Sequence, residues 1–119
     1  MTKVQTINER LFDALTETLK EKLGENGFKA VMYHLAQFGV DFDHLAERVV
    51  DLHEGLVKIF GPRLAPILEK AIAEAFYKRH RYRLKHYWRL TLVELVNHGL
   101  ALASRKRRPV YEWLDRRGW

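Results

Sequence analysis

The residues best equipped for chemistry in this chain lie from Tyr77 to Arg89, reading Tyr-Lys-Arg-His-Arg-Tyr-Arg-Leu-Lys-His-Tyr-Trp-Arg. Cations alternate with aromatic rings there, and no acidic residue interrupts them. Lys78, Arg79, Arg81, Arg83, Lys85 and Arg89 suit the neutralisation of phosphates and the release of their counterions. Tyr82, Tyr87 and Trp88 offer rings that stack on unpaired bases or pack inside the protein. On a helix, Arg79 with Arg83 and Arg81 with Lys85 recur at four-residue spacing, so ridges of positive charge can follow a phosphate backbone. Arg105, Lys106, Arg107 and Arg108 form a second cationic anchor. The plainer use of such residues is a solvated face that keeps the chain soluble. Leu84 and Trp88 fit the apolar stripe and read better as core than as base platforms.

Other chemistry has less to work with. Cysteine is absent, which excludes disulfides, thiolate metal sites and cysteine nucleophiles together. Glu94 and His98 share a helix face, but two ligands are not a metal site and no His-Glu-x-x-His run is present. No Gly-x-Ser-x-Gly and no phosphate-cradling glycine loop occurs, and Ser104 is the single serine. Asp41 and Asp43 read as turn and capping residues. His34 and His53 flank apolar positions, while His80 and His86 sit among cations that disfavour their protonation. The sequence therefore predicts no catalytic residue, no metal and no cofactor. A helix-turn-helix over Phe28 to Phe60 would present Asp51 and Glu54 to the phosphates, which repels them. Lipid binding lacks a continuous apolar face for insertion.

At 119 residues the length suits one domain, or one domain with a short extension. Residues 1–77 carry nine Lys/Arg against twelve Asp/Glu, a net −3. Residues 78–119 carry twelve against three, a net +9. This separation predicts an acidic helical domain over 1–77 and a basic helical extension over 78–119, packed on it or projecting from it. Its positive end would attract phosphate polymers, anionic lipid or an acidic protein patch. No apolar run approaches the roughly 18 residues of a membrane span. The N-terminus lacks an export signal, so the expected place is the cytoplasm. Abundant Arg with few Asn and Gln leans toward a heat-adapted source.

The elements that must position these residues are helical throughout. Thr6 and Glu9 form a capping box that opens a helix with Ile7, Leu11, Leu15, Leu19 and Leu23 on one stripe. Gly24 stops it. Asn26 caps a second helix from Gly27 to Phe38, ended by Gly39. Asp51 is the expected N-cap of a helix to Phe60, broken by Gly61-Pro62. Pro66 belongs in the first turn of the next helix, whose inward residues read as Ile67, Leu68, Ala71, Ile72, Ala75 and Phe76. The stripe loses phase at Arg79 and Arg83, so residues 66–104 form either one long helix or two. Leu90, Val93, Val96 and Leu100 make the later helix apolar on a second side, a candidate interface for another copy or a partner; the alternative is the central helix of a monomeric bundle. Pro109 starts a last short helix. The fold class is all-α, a small bundle of five or six helices.

Several segments together resemble a known family: Leu11-Phe12-Asp13-Ala14-Leu15, Val31-Met32-Tyr33-His34-Leu35, Phe38-Gly39-Val40-Asp41, His53 through Gly61, and Leu68-Glu69-Lys70-Ala71-Ile72. In order and spacing they are similar to an archaeal family of small helical domains, the fifth type of Nitrosopumilus output domain, over about residues 9–77. The resemblance implies an output role in signalling proteins and carries no catalytic residue with it. Residues 78–119 lie outside it. The expected function is thus a non-enzymatic nucleic-acid-binding or regulatory module working through 78–89 and 105–108. The competing expectation is a protein-interaction or self-association module using the 90–102 segment.

Overall fold

A computed structural model of the chain describes residues 6–79 and 90–106, with side chains through Ala101. These residues form three α-helices, α1 (Ile7–Gln37), α2 (Val49–Arg79) and α3 (Leu92–Lys106), plus one 3-10 turn at Phe42–His44. No strand occurs among them. The all-α expectation holds, but the described residues give three helices where five or six were expected. The last short helix expected from Pro109 lies outside the described residues, and two glycines account for the rest of the difference. Gly24 (φ 78°, ψ 175°) and Gly61 (φ 85°, ψ 167°) leave the helical conformation for a single residue each. That backbone region is open essentially to glycine alone. The expected stops are therefore sharp breaks inside α1 and α2, with helix resuming at the next residue and no linker between.

Local chemistry sets the ends. Thr6 Oγ1 accepts the Glu9 N–H at 3.1 Å, and Glu9 Oε1 accepts the Thr6 N–H at 2.8 Å, so the capping box at the start of α1 is complete. At the other end, the Gly39 N–H reaches the Ala36 carbonyl and the Val40 N–H the Leu35 carbonyl, at 3.0 and 3.1 Å. This pair of bonds defines a Schellman motif, and Gly39 supplies its positive φ of 87°. Leu35 and Val40, the motif's apolar partners, both lie against Gly55 of α2. Asp51 is not the N-cap of α2. The helix opens at Val49, and Asp51 accepts from the Arg48 Nε at 2.9 Å in its first turn. Pro62 follows Gly61 directly, where a missing N–H costs nothing.

The Gly61 break determines the packing. Along a straight helix, residues sixteen apart stand about 24 Å from one another. His53 and Glu69 are that far apart in sequence, yet their side chains are 2.8 Å apart. The two arms of α2 are thus folded onto each other. Between them and α1 lies one core, with Leu11, Leu15 and Leu19 from α1 and Leu52, Leu56, Ile72 and Phe76 from α2. Leu92, Leu95 and Val96 of α3 enter the same core. The second arm of α2 is rotated from the expected face: Ala65, Glu69 and Ala73 turn inward, while Ile67 is 66% exposed. The 3-10 turn is held by Phe42 packed edge-on against Phe12, with ring centroids 6.0 Å apart. Asn8 Oδ1 accepts the Ala46 N–H at 2.7 Å and ties the following loop to α1.

Gly61→Ala should destabilise the fold by about 1–3 kcal/mol, because alanine must hold a glycine-only conformation. Lys29→Ala, at an exposed helical position, should stay within about 0.5 kcal/mol of the parent. Denaturant unfolding measures both, and equal stability of the two variants would contradict the break at Gly61.

Candidate functional site

Lys78 stands exposed in the last turn of α2. Arg79, beside it, is not an open cation: its Nη2 lies 2.8 Å from Glu17 Oε2 on α1. Glu17 is thus a competitor, at the surface, for any phosphate that approaches Arg79. Arg81, Tyr82, Arg83, Lys85, Arg89, Arg107 and Arg108 lie outside the described residues. Arg105 and Lys106 form the end of α3, and only their backbone is described.

The candidate interface is also placed in part. Val96 is fully buried in the chain's own core, so it is not available to another molecule. Leu90, Val93 and Leu100 pack against that core and are half-buried. The earlier alternative of one helix or two over 66–104 resolves at Thr91. Its Oγ1 accepts the Glu94 N–H at 3.1 Å, and Glu94 Oε1 accepts the Thr91 N–H at 2.9 Å. This second Thr-x-x-Glu capping box starts α3 as a separate helix. It also engages Glu94, which the Glu94–His98 spacing had offered to a metal. No group of three or more metal-ligating side chains occurs among the described residues.

Asp41 is structural, as its position suggests. Asp41 caps the 3-10 turn by accepting the Asp43 N–H at 3.0 Å, and it accepts from His44 Nδ1 at 2.9 Å. That side-chain bond is the main cause that holds the Asp41 carboxyl below its ordinary 3.8 and raises His44 above its ordinary 6.5.

The most unusual polar group was missed by sequence reasoning. Glu69 is the single charged residue buried among those described. Its two carboxylate oxygens both lie 2.8 Å from His53 Nδ1. The Glu69 side chain is 8% exposed, and the His53 side chain 43%. The acid is therefore inside and the imidazole at the surface. Burying a carboxylate without such a partner would cost several kcal/mol. The pair bridges the two arms of α2 and lines a groove of about 450 Å³. Pro66 of α2 and Leu90, Leu92 and Val93 at the start of α3 give it apolar walls, with Lys70 also on its border. A larger concavity, about 570 Å³, lies beside the start of α1. It is the weaker candidate because Thr6, Glu9 and Asn8 along it are already bonded within the fold.

Removing His53 should be costly for a specific reason. His53→Ala leaves a buried carboxylate without its donor, a loss of about 1–3 kcal/mol. Adding Glu69→Leu to that variant should recover most of the loss, because no buried charge remains. Thermal unfolding of the single and double variants checks this, and a double variant no more stable than His53→Ala would contradict it.

A second prediction concerns pH. The raised His44 contributes stability that is whole below 6.5 and fades as pH rises through its folded value. The lowered Asp41 contributes stability that is whole above 3.8 and is lost as pH falls through its folded value. The pair is thus fully expressed between 3.8 and 6.5. Asp41→Asn, which keeps the cap and removes the charge, should return the His44 titration toward its ordinary value. NMR of the His44 ring protons reads this, and an unmoved titration would rule out the pair.

No family model matches the chain, and neither does any curated protein or solved structure.

Proposed function

We propose that this chain is a non-enzymatic module that binds nucleic acid through the basic, aromatic-rich stretch 78–89, with Arg105 to Arg108 as a second anchor. The observation that carries the reading is the charge separation, net +9 over residues 78–119 against net −3 before them. An exposed Lys78 at the end of α2 supports it. Clustered Arg and Lys supply sequence-independent affinity by displacing counterions, and interleaved Tyr and Trp rings supply stacking. Arg79 ranks below its neighbours in this role, because Glu17 competes with phosphate for its guanidinium. The resemblance over 9–77 gives the body of the chain the part of a signalling output domain, with the basic end as its effector surface. No described helix is long and apolar enough to cross a membrane, and the cytoplasm is the proposed place. Docking of a protein or a second copy is the competing reading; with Val96 internal, it falls to Leu90, Val93 and Leu100.

The test is anisotropy with duplex DNA, single-stranded DNA and RNA over a range of salt. Six phosphate contacts give a log–log slope of about −4 to −5. Arg81→Ala with Arg83→Ala should weaken binding tenfold or more, and Arg79→Ala alone much less. Affinity that ignores both salt and these substitutions would overturn the reading.

A further inference from the structure

The His53–Glu69 pair does more than a bridge between helix arms requires. An apolar pair of similar volume joins two elements at lower cost, since neither partner must leave water as a charge. Here the carboxylate is buried and the imidazole stands at the surface. Both Glu69 oxygens engage one nitrogen, Nδ1, so the ring is fixed in place and Nε2 is left for something else. The groove beside it measures about 450 Å³. Small-molecule sites run from roughly 300 to 1,000 Å³ and combine apolar walls with a few converging polar groups. Pro66, Leu90, Leu92 and Val93 are such walls, and His53, Glu69 and Lys70 are such polar groups.

Charge selects the class of ligand. Lys70 is exposed on the groove, whereas Glu69 is buried and turned to His53. The described residues on the α3 side, Leu90, Thr91, Leu92 and Val93, carry no charge. A ligand amine would meet a like charge on Lys70, with the one carboxylate already occupied. A ligand carboxylate would meet the Lys70 ammonium and the outer nitrogen of His53. We propose that this groove binds a small organic acid. Its apolar body lies along Pro66, Leu90, Leu92 and Val93, and its carboxylate sits between Lys70 Nζ and His53 Nε2. In the bound state the ring takes a proton from solvent. Nδ1–H then donates to Glu69 and Nε2–H to the ligand, with Glu69 as the counter-ion behind the ring. The described lining of the groove includes neither Lys78 nor Arg79.

Three probes with the same tail separate the possibilities: octanoate, octylamine and octanol, each titrated into the ¹⁵N-labelled full chain. Octanoate should give saturable shifts at the amides of Leu90 to Val93, at Lys70 and at the His53 ring. Octanol and octylamine should bind at least tenfold more weakly. Lys70→Met changes an exposed position and should weaken octanoate about tenfold or more, because a hydrogen bond to a charged group is lost. It should leave nucleic-acid affinity unchanged, which separates this proposal from the one above. Glu69→Gln keeps the shape and should weaken octanoate while sparing octanol. Equal or tighter binding of octylamine would overturn the assignment. So would octanoate shifts that spread over the whole basic surface and vanish in salt, the absence of any saturable shift, or a Lys70→Met variant that binds like the parent.

Discussion

Gly61 holds a backbone conformation, φ 85° and ψ 167°, that a side chain would forbid, and much of the molecule follows from it. The conformation redirects the chain in one residue, so the two arms of α2 fold together without a loop. That brings His53 to Glu69 and lets Leu52 and Leu56 share a core with Ile72 and Phe76. It also provides the surface on which α3 lies, since α3 packs chiefly on α2. Gly24 breaks α1 in the same glycine-only region. A Cβ on Gly27 would stand 2.7 Å from Leu23 Cβ, across that break. The described residues form three helices, two of them broken at a single glycine.

Electrostatics divides the molecule differently from its helices. The acidic residues of 1–77 are largely engaged in local geometry. Glu9 caps α1, Asp41 caps the 3-10 turn, Asp51 pairs with Arg48 and Glu69 bonds His53. Glu17 reaches from α1 to Arg79 at the end of α2, where the basic stretch begins. A pair this exposed contributes at most about 1 kcal/mol. Its meaning lies in position: it ties the base of the cationic segment to the acidic body and takes one guanidinium out of the field.

Much of this fold is legible in the chain, and the failures share a cause. Thr6-x-x-Glu9 and Gly39 announce the ends of α1 because caps are local chemistry, decided within four residues. Thr91-x-x-Glu94 has the same signature but hides inside an apolar stripe, where Thr91 passes for a spacer. The inward face of the second α2 arm was misread because two stripes compete to flank the shared row Leu68, Ile72 and Phe76. One holds Ile67, Ala71 and Ala75; the other holds Ala65, Glu69 and Ala73. Hydrophobicity alone favours burying Ile67 and exposing Glu69. The opposite occurs, with Ile67 at 66% exposure and Glu69 at 6%. The partner that makes this tolerable is His53, sixteen residues earlier and across a break. Helical periodicity relates residues one or two turns apart, not residues brought together across a break.

That reversal bears on function. Leaving an isoleucine in water and a carboxylate inside runs against the burial term on both counts, by about 1.5–3 kcal/mol for the isoleucine alone. A fold selected only for stability gains by exchanging them. The exchange would remove the group that fixes His53 and would fill the floor of the groove with aliphatic carbon. What the present arrangement retains is a positioned imidazole, a lysine and an apolar trough beside the start of α3. Other large apolar side chains also stand exposed, Val50 and Leu64 among them, so it is the buried Glu69 rather than the exposed Ile67 that sets this site apart.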